Sequence, residues 1–144
     1  MSGDCQVDFY VLKSAELDAR QLACRLALMA WERGHRIAVA AADADQAESL
    51  DELMWASPAG RFLPHENALG DTPAGAPVRI TLLSGLEQAD VVINLALEPV
   101  PDPDRFDRLL EIVPHAGPGL KASRDKFRYY RDRGLAPGSH DIRQ

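Results

Sequence analysis

Short apolar segments alternate with longer amphipathic ones along the first part of the chain. The two strand-like segments and the two helical ones occupy residues 7–12 and 36–42, and about 15–33 and 43–55. Either Asp43 or Asp45 can cap the second helix, since an aspartate side chain accepts a hydrogen bond from the first helical turn. Strand, helix, strand, helix is the order typical of an α/β fold. We therefore expect one Rossmann-like domain with a mostly parallel central sheet flanked by helices.

Two more strand-like segments follow a long break in the periodicity. Residues 56–77 are rich in proline and glycine, which predicts a long connection with one short extended piece at 61–64. Residues 78–83 and 91–95 are apolar and β-branched, so we expect them to join the sheet.

The C-terminal third shows clear signals for helix starts and ends. The run Pro101-Asp-Pro-Asp predicts the start of a helix over Arg105–Leu110, before a brief extended segment at 111–114. A final helix is expected over Lys121–Arg133 and ends at Gly134. The last ten residues, about 135–144, are expected to be loosely held.

Size and composition limit the classes of function. A chain of 144 residues with 46% hydrophobic residues has the size of one domain, which we assign to residues 1–144. Its net charge of −6 disfavours direct DNA binding over a broad surface. Since no apolar stretch approaches the roughly 20 residues of a membrane span and the N-terminus lacks a secretory pattern, we expect a cytoplasmic protein. Cys5 and Cys24 are expected to be reduced structural thiols.

The phosphate-binding and catalytic motifs of common α/β enzymes are missing from the sequence. There is no Gly-Lys pair for a P-loop, and the segment after the first strand, Leu12-Lys-Ser-Ala-Glu, contains no glycine. No nucleophile elbow or HExxH motif is present either. We therefore expect no catalytic residue, cofactor or metal ion. A small Rossmann-like nucleotide-binding enzyme remains the alternative, favoured only by the architecture.

Positive charge is concentrated in the predicted final helix. Residues 121–133 hold six basic and two acidic side chains, a net charge of +4 that leaves −10 for the remainder. Helical spacing places one set of residues on a common face, with Lys126 and Arg133 opposite: Leu120, Arg124, Phe127, Tyr130, Arg131 and Gly134. In one interpretation the aromatic residues simply pack on the sheet. In the other they form, with the arginines, a site for an acidic peptide, for which single-stranded nucleic acid is the rival ligand.

A second group of large apolar residues lies near the middle of the chain. Trp55 and Phe62 flank a turn rich in proline and glycine. Such residues either cover the core of their own domain or bind a protein partner, because large aromatic residues dominate interface energies.

Several of these segments, taken in order, resemble the chi subunit family of bacterial DNA polymerase III. The resemblance spans nearly the whole chain and rests on residues 7–12, 51–55, 62–65 and 75–80, and on Val113-Pro before the basic helix. It implies a non-catalytic, nucleotide-free subunit that links the clamp loader to the acidic, Phe-ended tail of single-stranded-DNA-binding protein.

The resemblance also implies which residues bind each partner. The positions implied for the tail are Val113, Arg124, Phe127, Arg128, Tyr130 and Gly134. Arg124 and Arg128 would hold carboxylates, and the apolar residues among the others would line a pocket. Trp55 and Phe62 match positions that contact the psi subunit, another clamp-loader component or an iron–sulfur helicase. Contact with nucleic acid would be indirect, and none with a membrane is implied.

Overall fold

Parallel strands form one central sheet in the computed structural model, which describes residues 5–56, 63–69 and 75–143. Within these residues the strands are β1 (Gln6–Leu12), β2 (Ile37–Ala40), β3 (His65–Asn67), β4 (Val78–Thr81), β5 (Val91–Asn94), β6 (Arg108–Val113) and β7 (Gly138–Ile142). Their order across the sheet is β3-β4-β2-β5-β6-β1-β7, and all neighbours pair in parallel. The predicted α/β class is confirmed.

Helices cover both faces of this sheet. They are α1 (Ala19–Glu32), α2 (Ala44–Ala56) and α3 (Pro118–Asp132). α1 and α2 pack on one face, and α3 packs on the other. The central strands β2 and β5 are buried along their whole length, which explains their continuous apolar sequence.

Side-chain caps define where the first two helices start. The Asp18 carboxylate accepts a 2.8 Å hydrogen bond from the backbone N–H of Arg20 at the start of α1. Asp43 rather than Asp45 caps α2, because its carboxylate accepts the backbone N–H of Gln46 at 2.8 Å.

The helix predicted over Arg105–Leu110 is wrong. A single 3₁₀ turn at Pro103–Arg105 is followed directly by β6, which lies between β5 and β1. Pro103 and Asp104 gave a helix-start signal that only the 3₁₀ turn uses. The brief extended segment predicted at 111–114 is the second half of β6, so within this strand only residues 108–110 were assigned to a helix.

The two edge strands of the sheet, β3 and β7, also differ from what the sequence predicts. β3 follows the extended piece predicted at 61–64, of which residues 61 and 62 lie outside the described chain. The last ten residues are not all loosely held, because Gly138–Ile142 pairs with β1. The His140 ring is also hydrogen-bonded to the buried Asp8 carboxylate at 2.9 Å. β7 has the sequence Gly-Ser-His-Asp-Ile, in which only Ile142 packs against the core, so pairing and this polar contact add to a small apolar contact.

Both cysteines are free and buried, as expected. Burial raises the pKa of the Cys5 and Cys24 thiols to about 11, so they remain protonated at neutral pH. In the described part of the chain, no helix has the length and apolar character to cross a membrane.

Candidate functional site

An open groove runs beside α3 on the outer part of the sheet. It has a volume of about 410 Å³ and is bounded by α3 and by residues of β1, β6 and β7. We call it the α3 groove. It forms because α3 packs against the sheet alongside β6 and leaves part of the neighbouring strand surface uncovered.

The floor of the α3 groove is apolar. It is formed by Phe9, Val11, Val113, Leu120 and Phe127. The rings of Phe9 and Phe127 lie 5.4 Å apart in a tilted arrangement, a distance typical of favourable aromatic pairs. Leu120 remains 41% exposed, so one side of the floor offers apolar surface to solvent. The floor can therefore bury an apolar side chain of a ligand.

Three arginines of α3 form the basic rim of the groove. Arg124, Arg128 and Arg131 repeat at helical spacing and are exposed. Arg128 lies 3.6 Å from Asp125, but both side chains are more than two-thirds exposed, so this pair contributes little. Among the described residues, Arg124 and Arg131 have no carboxylate partner. The rim can therefore donate hydrogen bonds to an anionic ligand.

The structure brings four of the six residues proposed for tail binding together at the groove: Val113, Arg124, Phe127 and Arg128. Gly134 does not line it. This glycine follows α3 with a φ of +86°, a conformation that side-chain-bearing residues rarely adopt, and so ends the helix.

Tyr130 lies in the core, contrary to the expectation that it lines the pocket. Its side chain is fully buried, and its hydroxyl donates to the Glu111 carboxylate and accepts the backbone N–H of Val100 at 2.8 Å. Burial and the nearby Glu111 charge raise the pKa of Tyr130. At 100° per residue, Tyr130 is turned 60° from Phe127 towards the sheet, whereas Arg131 is turned 40° the other way.

Lys126 lies away from the groove and is buried. It was placed opposite the functional face, yet it is only 3% exposed, and its ammonium lies 2.9 Å from the Glu111 carboxylate. It also donates to the carbonyl of Ala96. Its place off the groove agrees with the helical spacing, but its burial is unusual, because lysine is rarely buried without a charged partner.

Asn94 completes a buried polar network that local sequence patterns do not reveal. Its amide donates to the Glu111 carboxylate at 2.8 Å and to the carbonyl of Glu98 at 2.9 Å. Asn94 and Glu111 are partners in the parallel register of β5 and β6. The sequence shows Asn94 and Glu111 as two polar residues within apolar strand segments. They are recognised as neighbours only once β5 and β6 are known to pair.

The second predicted surface lies near the other edge of the sheet. Trp55, near the end of α2, is 65% exposed, and its ring lies 4.8 Å from that of His65. Trp55 is therefore not a buried cover of the core. Phe62 lies outside the described residues. Since β3 and β7 are the two edges, this surface is separate from the α3 groove.

Solved structures with a similar fold have very different sequences. T4 UvsW matches with a TM-score of 0.70 and 8% sequence identity, and S. cerevisiae Dbp5 bound to Nup159 and Gle1 matches with 0.67 and 12%. These matches cover 98% and 96% of this chain but only 42% of each neighbouring chain. At such identities the likeness shows the fold alone.

Other proteins share far more of their sequence with this chain than these structures do. The family model described as DNA polymerase III chi subunit, HolC, matches residues 5–138. DNA polymerase III subunit chi of Pseudomonas aeruginosa is 39% identical over 139 residues, covering 95% of this chain and 96% of that protein. The subunit chi of Escherichia coli is 33% identical over 118 residues, covering 80% of each. The chain, with its α/β fold and basic-rimmed groove, therefore belongs to the DNA polymerase III chi subunit family.

Proposed function

We propose that this replication accessory subunit is a non-catalytic adaptor whose α3 groove binds the acidic C-terminal tail of single-stranded-DNA-binding protein. The observation that carries the proposal is the pairing of an apolar floor with a rim of three arginines. A guanidinium donates two parallel hydrogen bonds to a carboxylate, and an apolar floor accepts an aromatic end residue. An acidic peptide that ends in phenylalanine offers both groups.

The expected affinity for the tail depends on favourable and unfavourable contributions to the free energy of binding. Each charge-assisted hydrogen bond contributes about 1.5–3 kcal/mol, and burying one aromatic side chain contributes about 2 kcal/mol. Ordering a flexible tail costs about 2–5 kcal/mol. With about four such hydrogen bonds, two from each of two arginines, the sum is compatible with a dissociation constant on the order of micromolar, which suits a contact that must form and break.

Charge favours a peptide over single-stranded nucleic acid as the ligand. Outside residues 121–133 the chain carries a net charge of −10, which would repel a long phosphate backbone that extends beyond the groove. A short tail can contact the basic rim without crossing the acidic surface. We therefore propose that contact with nucleic acid is indirect, through the partner.

The start of α1 argues against the alternative of a nucleotide-binding enzyme. In α/β nucleotide-binding domains, phosphates bind at the N-terminus of the helix that follows the first strand. Here the Asp18 carboxylate accepts the backbone N–H of Arg20 at this position and also pairs with the Arg20 guanidinium at 2.7 Å. The aspartate side chain therefore already occupies a backbone N–H group that a phosphate would need.

The surface around Trp55 is the proposed attachment to the rest of the replicase. An indole that is 65% exposed is costly to hydrate and is a common anchor in protein interfaces. We propose that Trp55, with Phe62, contacts the psi subunit or another clamp-loader component, or an iron–sulfur helicase. Because this surface is remote from the α3 groove, both partners can bind at once.

Binding of a labelled acidic peptide ending in Ile-Pro-Phe tests the proposed function. We expect a micromolar dissociation constant by fluorescence anisotropy, and at least a several-fold weaker affinity when the salt concentration is raised, because salt screens exposed charges. The control peptide has alanine in place of the last phenylalanine and should bind at least tenfold more weakly. Absence of binding at millimolar peptide, or equal binding of both peptides, would contradict the proposal.

A further inference from the structure

The side of α3 that faces the sheet is unusually polar. Its buried residues are Lys126 and Tyr130, and both direct a polar group into the core. They are four residues apart and therefore lie on the same side of the helix, one turn from each other. Apolar contacts alone tolerate rotation of a helix about its axis, whereas buried polar contacts require one arrangement.

Both oxygens of the Glu111 carboxylate are used in this contact. One accepts from Lys126 at 2.9 Å, and the other accepts from the Tyr130 hydroxyl and, at 2.8 Å, from the Asn94 amide. Glu111 and Asn94 belong to central strands, so the carboxylate is held by the sheet. A rotation of α3 would leave a buried charge without its partner, which is strongly unfavourable.

The same network holds the segment that follows β5. The carbonyl of Ala96 accepts from Lys126, the carbonyl of Glu98 accepts from Asn94, and the N–H of Val100 donates to Tyr130. The side chains that fix α3 therefore also fix this connection. Helix, sheet and connection share one set of buried contacts.

We infer that Glu111, Lys126 and Tyr130 are positioning residues that set the rotation of α3 and thereby hold the basic rim over the apolar floor of the groove. None of them lines the groove, so they act through Arg124, Phe127 and Arg128 and not on the ligand. A one-residue rotation of α3, about 100°, would carry the arginines away from the floor. This role in tail recognition rests on the proposed function, but the fixed rotation of α3 does not.

The test neutralises the buried pair and keeps a polar group on β6. In the double variant Glu111→Gln/Lys126→Met the new amide can still accept from Asn94 and Tyr130, and no charge is left unpaired. Replacing both partners of a buried ion pair is often close to neutral for stability. We expect a melting temperature within a few degrees of wild type, but at least fivefold weaker binding of the Phe-ended peptide. Lys121→Met, an exposed change on α3, is the matched control and should bind within twofold of wild type.

Amide hydrogen exchange without peptide gives a second measurement. We expect the double variant to exchange faster than wild type within residues 123–131, with unchanged exchange in α1. Wild-type affinity and unchanged exchange in the folded double variant would overturn the inference. If the wild type itself does not bind the peptide, the proposed function fails, and hydrogen exchange alone decides whether the network fixes α3. If the double variant does not fold, Tyr130→Phe replaces it in both measurements, with the same two outcomes.

Discussion

Lys126→Met as a single change should lower the free energy of unfolding by about 3–5 kcal/mol, the usual cost of removing one partner from a buried ion pair. The side chains of Lys126 and Glu111 are 4% and 1% exposed, so solvent cannot replace the lost partner. Methionine fills nearly the same space as lysine, so the loss measures the unpaired carboxylate rather than a cavity. Urea unfolding, followed by circular dichroism, gives the difference directly.

Two comparisons make this result specific to the pair. Lys121→Met removes the same charge from an exposed position of α3 and should change the free energy of unfolding by less than about 0.5 kcal/mol. Adding Glu111→Gln to Lys126→Met should restore most of the lost stability, because it removes the charge left unpaired. A single variant as stable as wild type would show that Lys126 and Glu111 are not a buried pair.

Arg124→Ala/Arg128→Ala should abolish most binding of the acidic peptide. Each lost charge-assisted hydrogen bond contributes about 1.5–3 kcal/mol, and roughly 1.4 kcal/mol corresponds to a tenfold change in affinity. We therefore expect Arg128→Ala alone to weaken binding about tenfold or more, and the double variant to bind too weakly to measure. Neither arginine is buried, so the melting temperature should change little.

The matched control for these variants is Arg133→Ala. Arg133 is also exposed and lies just after α3, but its guanidinium stacks on Tyr129 at 4.6 Å and does not line the groove. The Arg133→Ala variant removes the same charge as Arg128→Ala and should weaken peptide binding by less than twofold. If Arg133→Ala and Arg128→Ala weaken binding equally, general attraction and not the groove accounts for the affinity. Unchanged binding of Arg128→Ala would exclude the groove as the site.

Local sequence patterns were sufficient to predict the strands and helices that carry one strong sequence signal. β1, β2, β4 and β5 are short apolar segments, and α1 and α3 are long enough for the helical period to show. The first half of β6 was mistaken for a helix because Pro101-Asp-Pro-Asp is a helix-start signal, which only a 3₁₀ turn uses here. β7 was missed because its pairing with β1 is not visible in the sequence, and a single apolar residue, Ile142, after Gly, Ser, His and Asp makes no strand pattern.

The same limit applies to the candidate site. The basic and aromatic residues of α3 were visible as a group, and the groove contains four of them: Arg124, Phe127, Arg128 and Arg131. Which side of a helix faces the sheet depends on where its buried polar groups find partners. Tyr130 was misplaced because its partner, Glu111, lies far away in the sequence, on β6. Helical spacing alone could not distinguish the groove face from the buried face 60° away.

Chemical-shift mapping with the isotope-labelled chain and the unlabelled Phe-ended peptide tests most directly whether the α3 groove is the binding site. We expect the largest shifts to cluster at Val113, at Ser139 and along residues 123–131, and to saturate at micromolar peptide. Residues around Trp55 and His65 should stay unchanged. Shifts that cluster near Trp55, with no change at the groove residues, would contradict the α3 groove as the binding site.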